Sequence, residues 1–353
     1  MAFTQQEPKH SVSTASNRKR GRVADCTGLE NRQRATVREF ESHRFRQQII
    51  WVEYEGIRQA QADRSDIYDL TGSLYRSEGG RSTMRHPTIT GYMGAADKQL
   101  FFCFDAPQGA TTRPFGFVLC PPFGREYVST HRVFRQFASR LARAGFPVLR
   151  FDYFATGDSA GEDSEGSLEQ WLDDVATAVN TLRDHTAGMP VWLAGLRVGA
   201  SLAALYAAQH QDVAGLILWD AVVDGKRYVD KLLEAHQQRF RQTTGQGQPL
   251  PLTDGVREIF GALLSPRLAS GLRAIDLATL PRAPALQILL MSSSPQADPD
   301  ALGNRLAALG ASVDRKHVPW PELWAEGAEM NDVLMPPARV LQAMVESAQG
   351  ERR

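Results

Sequence analysis

The sequence predicts an α/β fold: a mostly parallel sheet flanked by helices, with one helical lid insertion. From residue 86 onward, short apolar runs alternate with longer stretches of helical periodicity, the pattern of strands joined by crossover helices. The alternation breaks over about residues 224–284 and then resumes, which marks an insertion.

The elements follow in order. Residues 88–93 and 99–105 read as an antiparallel hairpin around 94–98. The run 115–119 is a buried strand with a sharp exit at Cys120-Pro121-Pro122. Helical periodicity covers 133–144 and stops at Gly145, and 147–152 is the next strand. Residues 167–185 form a long amphipathic helix with Ser167 as N-cap and Gln170 at the capping-box position. A strand at 190–194, a helix at 199–210 and a strand at 215–220 follow. Inside the insertion, helices are expected over 226–241 and 254–264. The closing elements are a strand at 286–291, a helix at 300–309, a strand at 312–318 and a helix at 336–347.

Residues 1–85 are polar and read as a largely disordered extension of the 86–350 domain. Only two stretches are expected to be ordered: a helix at 34–60 and a turn or short helix at 67–75. The basic run Asn17-Arg18-Lys19-Arg20-Gly21-Arg22 reads as solvated tail, with nucleic-acid contact or an address as the alternative, and Met84, just before the structural onset, is a candidate natural start.

Lys plus Arg number 40 and Asp plus Glu number 40, so charge gives no reason to expect nucleic acid or an anionic membrane as partner. No apolar run approaches the roughly 20 residues of a membrane helix, and residues 1–15 lack the apolar core of a secretory signal. The three cysteines, Cys26, Cys103 and Cys120, cannot all pair, which favours the cytoplasm. No cofactor or metal is expected.

The chemistry centres on Ala194-Gly195-Leu196-Arg197-Val198-Gly199-Ala200, between a strand and a helix. In α/β-hydrolases this position reads G-x-S-x-G, and the strained turn exposes the serine at the top of the sheet. Here the glycines are kept, but Arg197 stands in the nucleophile's place, and a guanidinium does not accept an acyl group. Phe151-Asp152 through Gly157-Asp158-Ser159-Ala160-Gly161 resembles the D-x-R-G-x-G-x-S loop of such enzymes. It offers Asp158 and Ser159 as candidates, with plain turn chemistry as the simpler account. In Cys120-Pro121-Pro122-Phe123-Gly124-Arg125-Glu126, the backbone of Phe123 or Gly124, together with Val198 beyond the elbow, is a candidate oxyanion donor. Arg125 and Glu126 are a charged pair facing either the cleft or the surface. The acid is expected after the strand 286–291, at Asp298 or Asp300, and His317 is the one histidine near the last strand.

Taken in order, these pieces resemble the exosortase A system-associated hydrolases, a bacterial branch of the serine-aminopeptidase-like (S33) α/β-hydrolases. Residues 121–334 carry the likeness. It runs through Pro121-Pro122-Phe123-Gly124-Arg125-Glu126, Val148-Leu149-Arg150-Phe151-Asp152, Trp171-Leu172-Asp173-Asp174, the Gly195–Gly199 elbow and Trp219-Asp220-Ala221-Val222-Val223-Asp224. The resemblance implies the α/β-hydrolase fold, a hydrolase label inherited from that fold, and G-L-R-x-G as a trait of the branch.

Two functions fit. One is hydrolysis of an ester, thioester or amide with a replacement nucleophile: Ser201, Ser159, Cys120, or water activated by Asp158 or Glu126. The other is non-catalytic binding of an anionic small molecule or acyl group at Arg197, at a helix N-terminus that favours anions. In this second reading Arg197 is alternatively held by an internal carboxylate, Asp158 or Glu126.

Overall fold

The computed structural model describes residues 88–108, 111–244, 252–293, 299–319 and 337–350. The segments expected at 34–60 and 67–75, the basic run and Met84 lie outside the described residues.

The chain builds β1 (Ile89–Met93), β2 (Leu100–Asp105), β3 (Gly116–Cys120), α1 (Gly124–Arg143), β4 (Val148–Phe151) and α2 (Leu168–His185). It continues with β5 (Val191–Leu196), α3 (Val198–His210), β6 (Gly215–Trp219), α4 (Gly225–Thr244), β7 (Arg257–Ile259), β8 (Ala262–Leu264) and α5 (Pro266–Arg273). The last elements are β9 (Gln287–Ser292), α6 (Pro299–Ala308), β10 (Ser312–His317) and α7 (Ala338–Ala348).

One sheet runs in the order β1-β2-β4-β3-β5-β6-β9-β10. β1, β2 and β4 pair antiparallel, and every pair from β4 to β10 is parallel. The parallel strands need crossovers, and helices on both faces cover them. Alternate residues of β3 show the two layers: Phe117 and Leu119 pack with α1 and α7, while Val118 and Cys120 join the cluster that holds α2 and α3.

From β3 the chain moves one way to β4, and from β5 the other way to β6. This reversal is the switch point of an open parallel sheet. In such sheets the connections leave on opposite faces and the crevice that takes ligands lies at the carboxyl ends of the strands flanking the switch, here β3 and β5. The Pro121-Pro122-Phe123-Gly124 exit and the Arg197 turn border that crevice.

The strands at 88–93, 99–105, 115–119, 147–152, 190–194, 215–220, 286–291 and 312–318 each appear within a residue or two of the expected bounds. Three elements differ from expectation. The helix expected over 133–144 begins at Gly124, because its first turns turn the polar Glu126 and Thr130 inward and so lack apolar periodicity. The helix expected over 254–264 is instead the antiparallel hairpin β7–β8. Its two turn residues, Phe260 and Gly261, have φ of 52° and 88°, the left-handed pair that a two-residue hairpin requires and a helix excludes. The short helix α5 was not anticipated; Ser265 caps it, its hydroxyl accepting from the Leu268 amide at 3.2 Å, with Pro266 as first residue.

The segment between β6 and β9 is tied back to its own start. Gly225 N–H donates to the Ile275 carbonyl at 2.8 Å and Leu277 N–H to the Val223 carbonyl at 2.9 Å. α4 therefore starts near the carboxyl end of β6, and its first turn carries Tyr228 to Glu126.

Candidate functional site

The elbow forms because β5 ends directly against α3. A side chain at Gly195 would collide with the backbone of Gly199 and Ala200, and one at Gly199 with the Cys120 and Pro121 carbonyls. Only glycine at both positions lets the turn close. The residue between them absorbs the strain: Arg197 has φ 55° and ψ −122°, a conformation that costs a side-chain-bearing residue about 1–3 kcal/mol. Its carbonyl accepts from Ser201 N–H at 3.2 Å, and its N–H donates to the Trp219 carbonyl at 3.0 Å.

The guanidinium lies in a polar cluster. Arg197 Nε donates to Glu126 Oε1 at 3.2 Å, and Nη1 donates to the Asp220 carbonyl at 3.3 Å. Tyr228, in the first turn of α4, donates its hydroxyl to Glu126 Oε2 at 3.2 Å. The Arg197 guanidinium carbon stands 5.5 Å from the centre of the Tyr228 ring, a cation–π contact. The Glu126 side chain is 8% exposed and the Arg197 side chain 22%, so the cation retains the larger opening to solvent. Glu126 lies in the first turn of α1, where the helix dipole also favours an anion.

Burial pushes the Glu126 carboxyl up; the Arg197 guanidinium and the Tyr228 hydroxyl draw it back, and Asp220 adds to the rise. Burial opposes the charge on Arg197, and Glu126, Tyr228 and Asp220 together more than offset it. Burial and the same carboxylate push the Tyr228 phenol well above its ordinary range, which keeps it a hydrogen-bond donor.

The remaining candidates fall in several places. Phe123 is buried, its ring 5.7 Å from that of Trp171, and Gly124 opens α1 with φ 60°. The Arg125 guanidinium lies 5.5 Å over the Phe260 ring at the tip of the β7–β8 hairpin. Val198 is buried as the first residue of α3. Ser201 is fully buried and donates its hydroxyl to the Val222 carbonyl at 2.7 Å. Ser159 donates to the Asp152 carbonyl at 2.6 Å and accepts from Phe101 N–H at 2.9 Å, which is turn chemistry. Asp158 is exposed, and its N–H donates to Asp152 at 3.0 Å. Glu126, one of the two carboxylates considered for Arg197, is paired with it.

Asp152, buried at the exit of β4, is the centre of that loop: it also accepts from the Tyr127 hydroxyl at 2.7 Å. Tyr127, Asp152, Asp158 and His131 line a cavity of about 70 Å³ between α1 and the sheet. It has room for a few waters and falls well short of the roughly 300 Å³ at which ligand pockets begin.

His317 ends β10, and its Nδ1 stands 3.3 Å from Ser292 Oγ in the adjacent β9. β10 is three strands from β5, about 14 Å at the usual strand spacing, so His317 is not brought to the elbow. Asp298 lies outside the described residues. Beside the elbow instead is Asp220, at φ 44°, whose carboxylate accepts the Ser293 N–H at 2.9 Å and the Ser293 hydroxyl. Among the described residues no group of three or more His, Cys, Asp or Glu is arranged to hold a metal ion. Among them also, no helix is long and apolar enough to cross a membrane.

Sequence reasoning missed Tyr228 and Asp220. Asp220 had a local signal, since it follows a strand in Trp219-Asp220-Ala221. Tyr228 had none: it reaches Glu126 across 102 positions of sequence.

Comparison with known proteins agrees with the geometry. The family model for serine aminopeptidase, S33, matches residues 127–255. No curated protein matches the chain. A soluble variant of monoglyceride lipase from Saccharomyces cerevisiae, solved with a substrate analogue, superposes with a TM-score of 0.52 at 14% identity, over 77% of this chain and 97% of that one. Est1E from Butyrivibrio proteoclasticus with bound ferulic acid superposes with a TM-score of 0.51 at 16% identity, over 73% of this chain and 99% of that one. With this sheet order and these matches, the chain has the α/β-hydrolase fold.

Proposed function

We propose that this hydrolase-fold chain binds a small acyl or carboxylate compound in the crevice beside Arg197 and forms no serine acyl-enzyme. The observation that carries the reading is the occupant of the elbow. The fold keeps the strained turn that presents one side chain to the crevice, and that side chain is a guanidinium held by Glu126. Strain of this kind persists where the surrounding structure fixes it, which favours a site still in use. Ser201 and Ser159 spend their hydroxyls on backbone carbonyls, which argues against either as the nucleophile. The segment 224–284 acts as the lid of a domain over 86–350, with Tyr228 its contact to the elbow. Cys103 and Cys120 as thiols fit a cytoplasmic protein.

The test is a fluorophosphonate probe followed by ligand titration. No labelling is expected, and a carboxylate such as ferulate or decanoate raises the melting temperature of the wild type but not of Arg197→Ala. Labelling that Ser201→Ala or Ser159→Ala abolishes would sink this reading.

A second reading, hydrolysis of an ester, thioester or amide by water, is favoured by the buried Glu126 carboxyl, whose raised proton affinity suits a general base. Water gives a proton to Glu126 and its oxygen bonds the carbonyl carbon, while Arg197 holds the resulting oxyanion. The acyl bond then breaks, and the leaving group takes the proton from Glu126. Turnover of a p-nitrophenyl ester or a thioester without probe labelling, lost in Glu126→Gln, supports this route; turnover retained in that variant rules it out.

A further inference from the structure

We infer that the Arg197 site is selective for carboxylate monoanions and is gated by Glu126, which releases the guanidinium by taking up a proton as the ligand binds. The inference rests on the reading of Arg197 as the ligand-binding group and adds how its affinity is controlled.

The geometry gives the reason. The Arg197 guanidinium is already engaged: Glu126 accepts from its Nε at 3.2 Å. Glu126 is a carboxylate on a side chain only 8% exposed, so the protein itself shows which chemical group this site accepts. A second carboxylate at Arg197 leaves two anions against one cation in a partly desolvated place. One of the two must be neutralised, because an uncompensated buried charge is strongly disfavoured.

The groups facing Glu126 determine which carboxyl takes the proton. From the elbow, Arg197 stabilises its charge; from α4, the Tyr228 hydroxyl donates to Oε2 at 3.2 Å; from the end of β6, Asp220 opposes its charge. Burial outweighs the stabilising pair and raises the proton affinity of Glu126. Once protonated, it no longer competes for Arg197. The ligand carboxylate then replaces it at the guanidinium, and the net charge of the cluster is unchanged. A phosphate dianion would need two protons and is disfavoured for that reason.

Calorimetric titration of the full chain with benzoate and with decanoate tests this, in buffers of different ionisation enthalpy and from pH 5 to 9. The wild type is expected to take up close to one proton per carboxylate bound, and affinity falls about tenfold per pH unit at the alkaline end. Glu126→Gln binds the same carboxylates about 5–150-fold more tightly at pH 8, the usual size of a coupling between two ligands, with no proton uptake. Tyr228→Phe keeps the ring but removes the donor that favours ionised Glu126, so carboxylate binding extends to higher pH. That variant keeps the test open if Glu126→Gln fails to fold. Inorganic phosphate, run alongside, binds more weakly than either carboxylate.

Carboxylate binding without proton uptake, or an unchanged pH dependence in Tyr228→Phe and Glu126→Gln, overturns the gate. So does phosphate binding as tightly as the carboxylates. Absence of any carboxylate binding in both wild type and Glu126→Gln overturns the ligand class. Probe labelling of a serine is a separate observation and bears on the absence of an acyl-enzyme alone.

Discussion

At the scale of single residues, the site depends on two groups that are tolerated only together. Arg197 occupies a conformation that disfavours any side chain, and Glu126 is a carboxylate in a place that disfavours charge. Arg197→Ala relieves no backbone strain, since alanine at φ 55° is strained too, and it leaves Glu126 buried without its cation. Removing one partner of a buried pair costs up to about 3–5 kcal/mol, and the partial exposure of Arg197 puts the expectation near 3 kcal/mol at pH 8. The pH dependence has a definite sign. A carboxyl raised on folding binds more protons in the folded state, so stability falls as pH rises from the unfolded value through the folded one. Urea unfolding of Arg197→Ala is therefore expected to show a larger deficit at pH 8 than at pH 5, and the double variant with Glu126→Gln recovers most of it. A deficit that is the same at both pH values contradicts the pairing. The two residues were legible to different degrees. The elbow spacing marked Arg197 in the sequence, whereas Glu126 read as one half of an undecided charged pair.

The elements matter through the way their ends meet. α1 opens beside the elbow because Phe123 stands in the extended region at its N-cap, while Glu126 and Thr130 continue the inward face in place of apolar residues. The missing apolar period that hid the first turns of α1 is the same feature that makes its start a polar site, and local rules are commonly broken at such places. The hairpin β7–β8 was hidden for another reason: Phe260 at φ 52° is a choice that a turn rule would not make. Contact with Arg125 and with His236, whose ring centre is 5.1 Å from that of Phe260, fixes the hairpin by tertiary packing. The elbow itself depends on α3 reaching the backbone of β3. Gly199→Ala drives a methyl into the Cys120 and Pro121 carbonyls, and overpacking against backbone is expected to cost about 3 kcal/mol. A thermal melt checks it, and a variant as stable as the wild type would mean that α3 shifts freely against β3.

At the scale of the whole molecule, β3 and β5 are the centre of the sheet, and both helical layers close over them. Cys120, the last residue of β3, is fully buried, and burial pushes its thiol up to about 12. In a variant with Cys26 and Cys103 replaced by serine, Cys120 is expected to react with a thiol reagent only as fast as the molecule unfolds globally. Rapid modification under native conditions would show that the switch point opens locally.

The order of strands and helices along the chain and the glycine spacing of the elbow were written in local sequence, because periodicity and paired glycines act over a few residues. What the sequence did not carry was the partner of each site residue. Tyr228, Glu126 and Asp220 converge on Arg197 from α4, α1 and the end of β6, and no local rule links positions so far apart. His317, nearest to the expected base position along the chain, is instead three strands from the elbow. The sequence by itself determined that the turn after β5 carries a fixed positive charge, at Arg197. Only the tertiary structure decided that a buried carboxylate neutralises it, because burial and charge pairing are properties of the packed crevice.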